Sequence, residues 1–136
     1  MSRFFADTFY LIALADHRDQ WHAHVVAFSR AHDGMQLFTV DEVLAEFLTF
    51  CSTAGAHIRV NAVRTVRQAL DHPQWIVLPQ SRASLLDALT LYESRPDKEY
   101  SLTDCVSMQA MRREGLTDVL TNDRHFTQEG FHILFP

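Results

Sequence analysis

Four acids occupy positions from which carboxylates could gather: Asp7, Glu46, Asp104 and Asp123. Asp7 follows the short apolar run Arg3–Ala6, and Asp123 follows Val119-Leu120-Thr121-Asn122. Asp104 lies one turn into an otherwise apolar helix, and Glu46 borders the apolar stripe of V-D-E-V-L-A-E-F-L. In an open parallel sheet, ligands gather beyond the carboxyl ends of the strands. Two acids that end strands and two on helices can therefore converge at one edge. Carboxylates gathered in partly apolar surroundings repel one another and lose solvation, and a divalent cation offsets both effects. Oxygen donors without a Cys ligand suit a hard ion, Mg²⁺ or Mn²⁺.

Each acid also has a plainer reading. Asp7 can cap the helix that follows it. Asp104 can complete a capping box with Ser101, because S-L-T-D fits the pattern. Against that, the same helical face continues through Met108 and Met111, which would leave the carboxylate partly desolvated. Asn122-Asp123 is ordinary turn chemistry. At ~100° per residue from Val43, Glu46 falls at about −60°, beside a stripe spanning about −20° to 100° that includes Leu44, Phe47, Phe50 and Cys51. A boundary glutamate is its alternative. Glu42 lies farther out and fits a capping box with Thr39. Asp118 precedes its strand and belongs at the opposite end of the sheet from Asp123.

The elements that must position these acids alternate along the chain. The pattern predicts a buried strand over Arg3–Ala6 and a helix from Asp7 or Thr8. After the polar break Asp16–Asp19 comes a helix over 20–32, with Trp21, Val25 and Phe28 on one stripe. A strand over 36–39 leads through the Thr39–Glu42 box into a helix that runs to about Thr53. A helix over 57–72 follows, with Val60, Val63 and Val66 or Arg67 along it, then a strand over Trp75–Leu78. Helices over 81–93 and 101–114, a strand over 117–121, a turn over 122–125 and a strand over 131–135 complete the chain. Gly34, Gly55, Gly115 and Gly130 all fall at boundaries. Alternating strands and helices give an α/β class with a mainly parallel sheet, and residues 1–136 read as one domain.

The composition, 47% apolar and 21% charged, is that of a globular protein, and no apolar run is long enough for a membrane. Met1–Asp7 reaches an acid too soon for a signal peptide. Cys51 and Cys105 form no C-x-x-C and read as buried reduced thiols, so a cytoplasmic location is expected. The net charge of −5 argues against a general nucleic-acid coat. With four acids gathered round a cation, however, the remaining surface is nearly neutral. Arg59, Arg64 and Arg67 on one helix, with Arg112 and Arg113 ending another, form either a solvated face or a phosphate-guiding rim. Among the eight histidines there is no H-x-x-x-H pair, and His22 and His24 are two apart, so no zinc site is expected.

F-F-A-D-T-F-Y-L-I-A-L, V-L-A-E-F-L, Y-S-L-T-D-C and L-T-N-D-R-H-F stand in this order across essentially the whole chain. In them the sequence resembles the PIN-domain family, and within it the VapC-type toxin ribonucleases of toxin–antitoxin pairs. The resemblance implies a three-layer α/β/α sandwich and a metal-dependent nuclease site. It matches Asp7, Glu46, Asp104 and Asp123 to the family's acidic quartet, and Thr8 and Thr121 to supporting hydroxyls. It carries no role onto Asn122 or His125. On this reading Asp7, Asp104 and Asp123 form the platform for Mg²⁺ or Mn²⁺, and Glu46 holds a metal-bound water or a second ion. The expected reaction is hydrolysis of RNA, leaving by analogy a 5′-phosphate and a 3′-hydroxyl. A cognate antitoxin is the expected partner and a homodimer is compatible with the family. The alternative is a PIN-like module that binds RNA or protein without cleaving. A phosphotransfer domain would call for a D-x-D after the first strand, where Asp7-Thr8-Phe9 stands instead.

Overall fold

The computed structural model describes all residues, Met1–Pro136. Twelve elements follow in order: β1 (Arg3–Ala6), α1 (Thr8–Ala15), α2 (His22–Ala31), β2 (Gln36–Val40), α3 (Asp41–Cys51), α4 (Ala56–Asp71), β3 (Trp75–Leu78), α5 (Arg82–Ser94), α6 (Leu102–Glu114), β4 (Asp118–Leu120), α7 (His125–Gln128) and β5 (His132–Ile133). The five strands form one sheet in the order β3-β2-β1-β4-β5, and every pairing is parallel. The chain adds β2 and β3 on one side of β1, then crosses to add β4 and β5 on the other. The topological switch point is therefore the seam between β1 and β4, where open α/β sheets bind ligands.

A parallel sheet must be covered on both faces, and the strands here divide their side chains accordingly. Phe4 and Ala6 of β1, Leu37 of β2 and Leu120 of β4 pack with Tyr10, Ala13, Val25 and Phe135. Phe5, Phe38, Val40 and Val119 point the other way, into a larger core with Val43, Phe47, Ile58, Ala88, Cys105, Met108 and Met111. This two-residue alternation is the pleat at work, and it produces the sandwich of three layers. No helix is long and apolar enough to cross a membrane. Cys51 and Cys105 are buried free thiols.

Helix boundaries follow the local chemistry. Ser81 caps α5 and Ser101 caps α6, each in a reciprocal capping box. Gly115 ends α6 with φ 68°, in the left-handed region that favours glycine.

Three sequence expectations are corrected. Thr39 does not cap α3. It is the fourth residue of β2, wholly buried, and its hydroxyl donates to the Ala6 carbonyl at 2.9 Å. Continued strand pairing, with Thr39 opposite Val77 and Val40 opposite Leu78, outcompetes the cap. The buried face of α4 is Ile58, Ala62 and Ala69, whereas Val60 and Val63 are exposed, so the valine spacing pointed to the wrong phase. Phe50 is likewise exposed, although the α3 stripe through Val43, Leu44, Phe47 and Cys51 is buried.

The Thr39 contact ties β2 to β1 one residue before Asp7. Thr39→Val keeps the shape and deletes the donor. It should lower stability in urea unfolding by about 1–2 kcal/mol.

Candidate active site

Asp7 is the residue after β1, and Thr121 is the residue after β4. The β1–β4 register pairs Phe5 with Val119 and Ala6 with Leu120, so these two residues stand at adjoining strand ends. The Thr121 hydroxyl donates to Asp7 Oδ2 at 2.9 Å, and both residues are buried. The same hydroxyl accepts the Asp123 backbone N–H at 3.1 Å. Asp123 Oδ1 in turn accepts the His125 N–H at 2.9 Å, a turn that folds the chain back over the strand ends.

Asp104 arrives from the first turn of α6. Its Oδ2 accepts the Ser101 N–H at 3.0 Å, while its own N–H donates to the Ser101 hydroxyl at 3.0 Å. The capping box is therefore real, and it does not remove Asp104 from the cluster. Single donor atoms from Asp104, Asp123 and His125 all lie within 4.8 Å of one another. His125 Nδ1 is 3.6 Å from Asp104 Oδ2 and 3.4 Å from Asp123 Oδ1.

Glu46 stands at the rim on α3. Its Oε1 accepts the Thr8 hydroxyl at 2.6 Å, which links it to the residue next to Asp7. The structure thus draws the four acids to one edge of the sheet, with Asp104 and Asp123 in direct proximity and Asp7 and Glu46 joined through threonines. Thr8 and Thr121 are the threonines that make those links.

Burial pushes the Asp7 carboxyl up to about 7. The Thr121 hydroxyl and the Thr8 backbone N–H offset part of this, and the charges of Asp104 and Glu46 add to it. Asp104 is also raised, first by burial and then by Asp123, with the Ser101 N–H and His125 opposing. Neither Asp7, Asp104 nor Asp123 forms an ion pair with a lysine or arginine; histidine alone approaches them. Two raised carboxyls with no lysine or arginine beside them make this sheet edge a candidate functional site, and Asp104, Asp123 and His125 are spaced so that they could hold a cation.

Sequence reasoning passed over His125 and its surroundings. The Asn-Asp turn was the available signal, because an Asp that accepts the N–H two residues on must bring that residue beside itself. Nothing local announces the wall behind it. Tyr100 meets the His125 ring edge-on, with centroids 5.5 Å apart, and its hydroxyl donates to Glu129 Oε2 at 2.9 Å. Glu129 also pairs with Arg95 and Arg112, each at 2.9 Å. Burial works against its charge, but the hydrogen bonds from Arg95, Arg112 and Tyr100 outweigh it and hold the carboxyl at about 2. Arg113 is paired with Asp87 at 2.7 Å. The two arginines that end α6 are thus each paired with a carboxylate.

No protein-family model matches the chain, and no curated protein matches it significantly. Solved structures do. The crystal structure of VapC20 from Mycobacterium tuberculosis, a sarcin–ricin loop cleaving toxin, superposes with a TM-score of 0.82 at 23% identity, covering 94% of this chain and 95% of that one. FitAcB from Neisseria gonorrhoeae gives a TM-score of 0.67 at 14% identity, covering 96% and 95%. PAE2754 from Pyrobaculum aerophilum gives 0.62 at 18% identity, covering 98% and 90%. At these identities the likeness establishes the fold, which is the PIN-like α/β/α sandwich.

The Asp7 carboxyl sets a pH dependence. Between its ordinary value near 3.8 and its folded value of about 7, the folded chain retains a proton that the unfolded chain has lost. Stability without divalent cations should therefore fall as pH rises through that window. Asp7→Asn should flatten the fall and unfold at a higher temperature than the parent chain at pH 8 in chelator. Melting curves at pH 5 and pH 8 check both.

Proposed function

We propose that this PIN-fold chain is a divalent-cation-dependent endoribonuclease, the toxin of a toxin–antitoxin pair. Its cofactor is Mg²⁺ or Mn²⁺, and a cognate antitoxin is the protein partner that restrains it. One observation carries the reading: the Asp104 and Asp123 carboxylates meet at the β1–β4 switch point, with Asp7 buried beside them and no lysine or arginine to neutralise the three. The fold shared with VapC20, a toxin that cleaves the sarcin–ricin loop, supports RNA as the substrate class.

The donors fit a hard divalent ion, being mainly carboxylate oxygens in a partly desolvated setting. Asp7, Asp104 and Asp123 would hold it. When bound, such an ion polarises a phosphodiester and makes water more acidic.

The remaining work falls to the chain itself. The Thr121 hydroxyl fixes Asp7 Oδ2 and so orients the carboxylate. The Ser101 N–H fixes Asp104 Oδ2, which sets the carboxylate plane. Thr8 fixes Glu46 Oε1, leaving Oε2 at the exposed rim to orient the attacking water and take its proton. The water oxygen bonds to phosphorus as the P–O3′ bond breaks, and the departing 3′-oxygen takes a proton from solvent, leaving a 5′-phosphate and a 3′-hydroxyl. Arg59, Arg64 and Arg67, exposed on α4 and without a carboxylate partner, are among the cations available to an RNA backbone.

Purified protein incubated with total RNA should yield discrete fragments with Mn²⁺ or Mg²⁺ and none with chelator. Asp104→Asn keeps an oxygen for the Ser101 N–H, so the cap survives. Its cleavage rate should nevertheless fall by roughly 100-fold or more. Cleavage that persists in chelator, or that is equal in Asp104→Asn, would overturn the reading. Cation binding without cleavage of any RNA would leave a binding module. Co-expression with the product of an adjacent small gene should relieve growth arrest caused by the chain.

A further inference from the structure

The His125 ring is placed without an evident structural role. Its Nδ1 is buried and has no hydrogen-bond partner. Its distances of 3.4 Å to Asp123 Oδ1 and 3.6 Å to Asp104 Oδ2 are too long for good hydrogen bonds. Two other histidines show what a structural ring does here: His22 Nδ1 lies 2.6 Å from the Ala13 carbonyl and His32 Nδ1 lies 2.9 Å from the Phe28 carbonyl.

The ring is nevertheless held. Tyr100 packs edge-on against it, and Glu129, whose side chain is only 4% exposed, anchors the Tyr100 hydroxyl while clamped by Arg95 and Arg112. On its other side the His125 N–H is tied to Asp123 Oδ1. The Nδ1 atom thus lies between two carboxylates, is hydrogen-bonded to neither, and offers a lone pair to both when the ring proton sits on Nε2. Neighbouring donors on one octahedral ion with bonds of ~2.1 Å stand ~3 Å apart, close to the spacing found here.

We propose that His125 Nδ1 is a donor to the cation held by Asp104 and Asp123, and that it biases the site toward a first-row transition ion, Mn²⁺, over Mg²⁺. The proposal rests on the cation site described above. Mg²⁺ takes oxygen ligands and gains little from imidazole, whereas transition ions accept nitrogen readily. The Glu129–Tyr100 wall then acts as a positioning device, holding the ring where its lone pair meets the carboxylates.

The test uses Mn²⁺ alone with the full chain. Pulsed EPR of bound Mn²⁺ should show nitrogen modulation, and incorporation of ¹⁵N-imidazole histidine should replace that pattern in the unaltered protein. Calorimetric titration should show His125→Ala losing roughly 10-fold or more in Mn²⁺ affinity and under about 3-fold in Mg²⁺ affinity. The labelling experiment needs no variant, so a folding defect in His125→Ala leaves the test intact. Mn²⁺ bound in an Asp104-dependent manner without nitrogen coupling would overturn the proposal and leave the ribonuclease reading standing. An unchanged Mn²⁺-to-Mg²⁺ preference in His125→Ala would also overturn it. No divalent binding at all would overturn both.

Discussion

Two strand ends are fastened by one hydrogen bond between side chains 114 residues apart, from the Thr121 hydroxyl to the Asp7 carboxylate. That carboxylate has left water without acquiring a cationic neighbour, which is costly in itself. The sheet topology keeps it there. β1 lies in the middle of an all-parallel sheet, so the residue after it is hemmed in by β2 on one side and β4 on the other. The bond also extends order outward, because the Thr121 hydroxyl takes the Asp123 N–H and Asp123 takes that of His125. One buried acid therefore fixes the position of the next acid and of the imidazole beyond it.

The plain and the chemical readings of these acids turn out to be compatible. Asp104 closes the capping box of α6 and also faces Asp123. Asp123 sets a turn and also faces Asp104. Local backbone bonding uses one oxygen of each carboxylate and thereby orients the whole group. A carboxylate held by backbone N–H groups is better placed for binding than one on a free rotor. Glu42, set aside at the sequence level as a capping residue, makes no such bond. Its Oε1 is buried without a partner near the start of α3.

The fold was largely legible because hydrophobic runs, glycines and prolines agree with one another. Arg3–Ala6 and Trp75–Leu78 are strands as the pattern predicts, and Ser81 and Ser101 cap the helices expected of them. Asp7, Asp104 and Asp123 could be singled out because strand ends and helix starts are local features, and Glu46, in the middle of α3, by its place beside the apolar stripe. The errors arose where tertiary contacts decide. Thr39 is a cap by local pattern and a strand residue by pairing with β3. Val60 and Val63 suit a core by type, yet the small Ala62 and Ala69 allow the closer approach that buries their side of α4. The clamp of Arg95, Tyr100, Arg112 and Glu129 joins three separate segments and had no local signal. His125 was hidden because its importance lies in what stands around it.

The crossover that places β4 beside β1 has a consequence in time. As the chain is made from its N-terminus, the early strands can assemble with β1 as an open edge. Asp7, Glu46 and Asp104 can then be placed after β1, on α3 and on α6, which packs on α3, α5 and β2, but Asp123 follows β4 and has no settled place until that strand inserts. A nascent or truncated chain that stops before β4 carries an incomplete set of acids and no seam to gather them. Whatever these carboxylates do together is withheld until β4 has been made and inserted, so the order of the strands acts as a built-in delay.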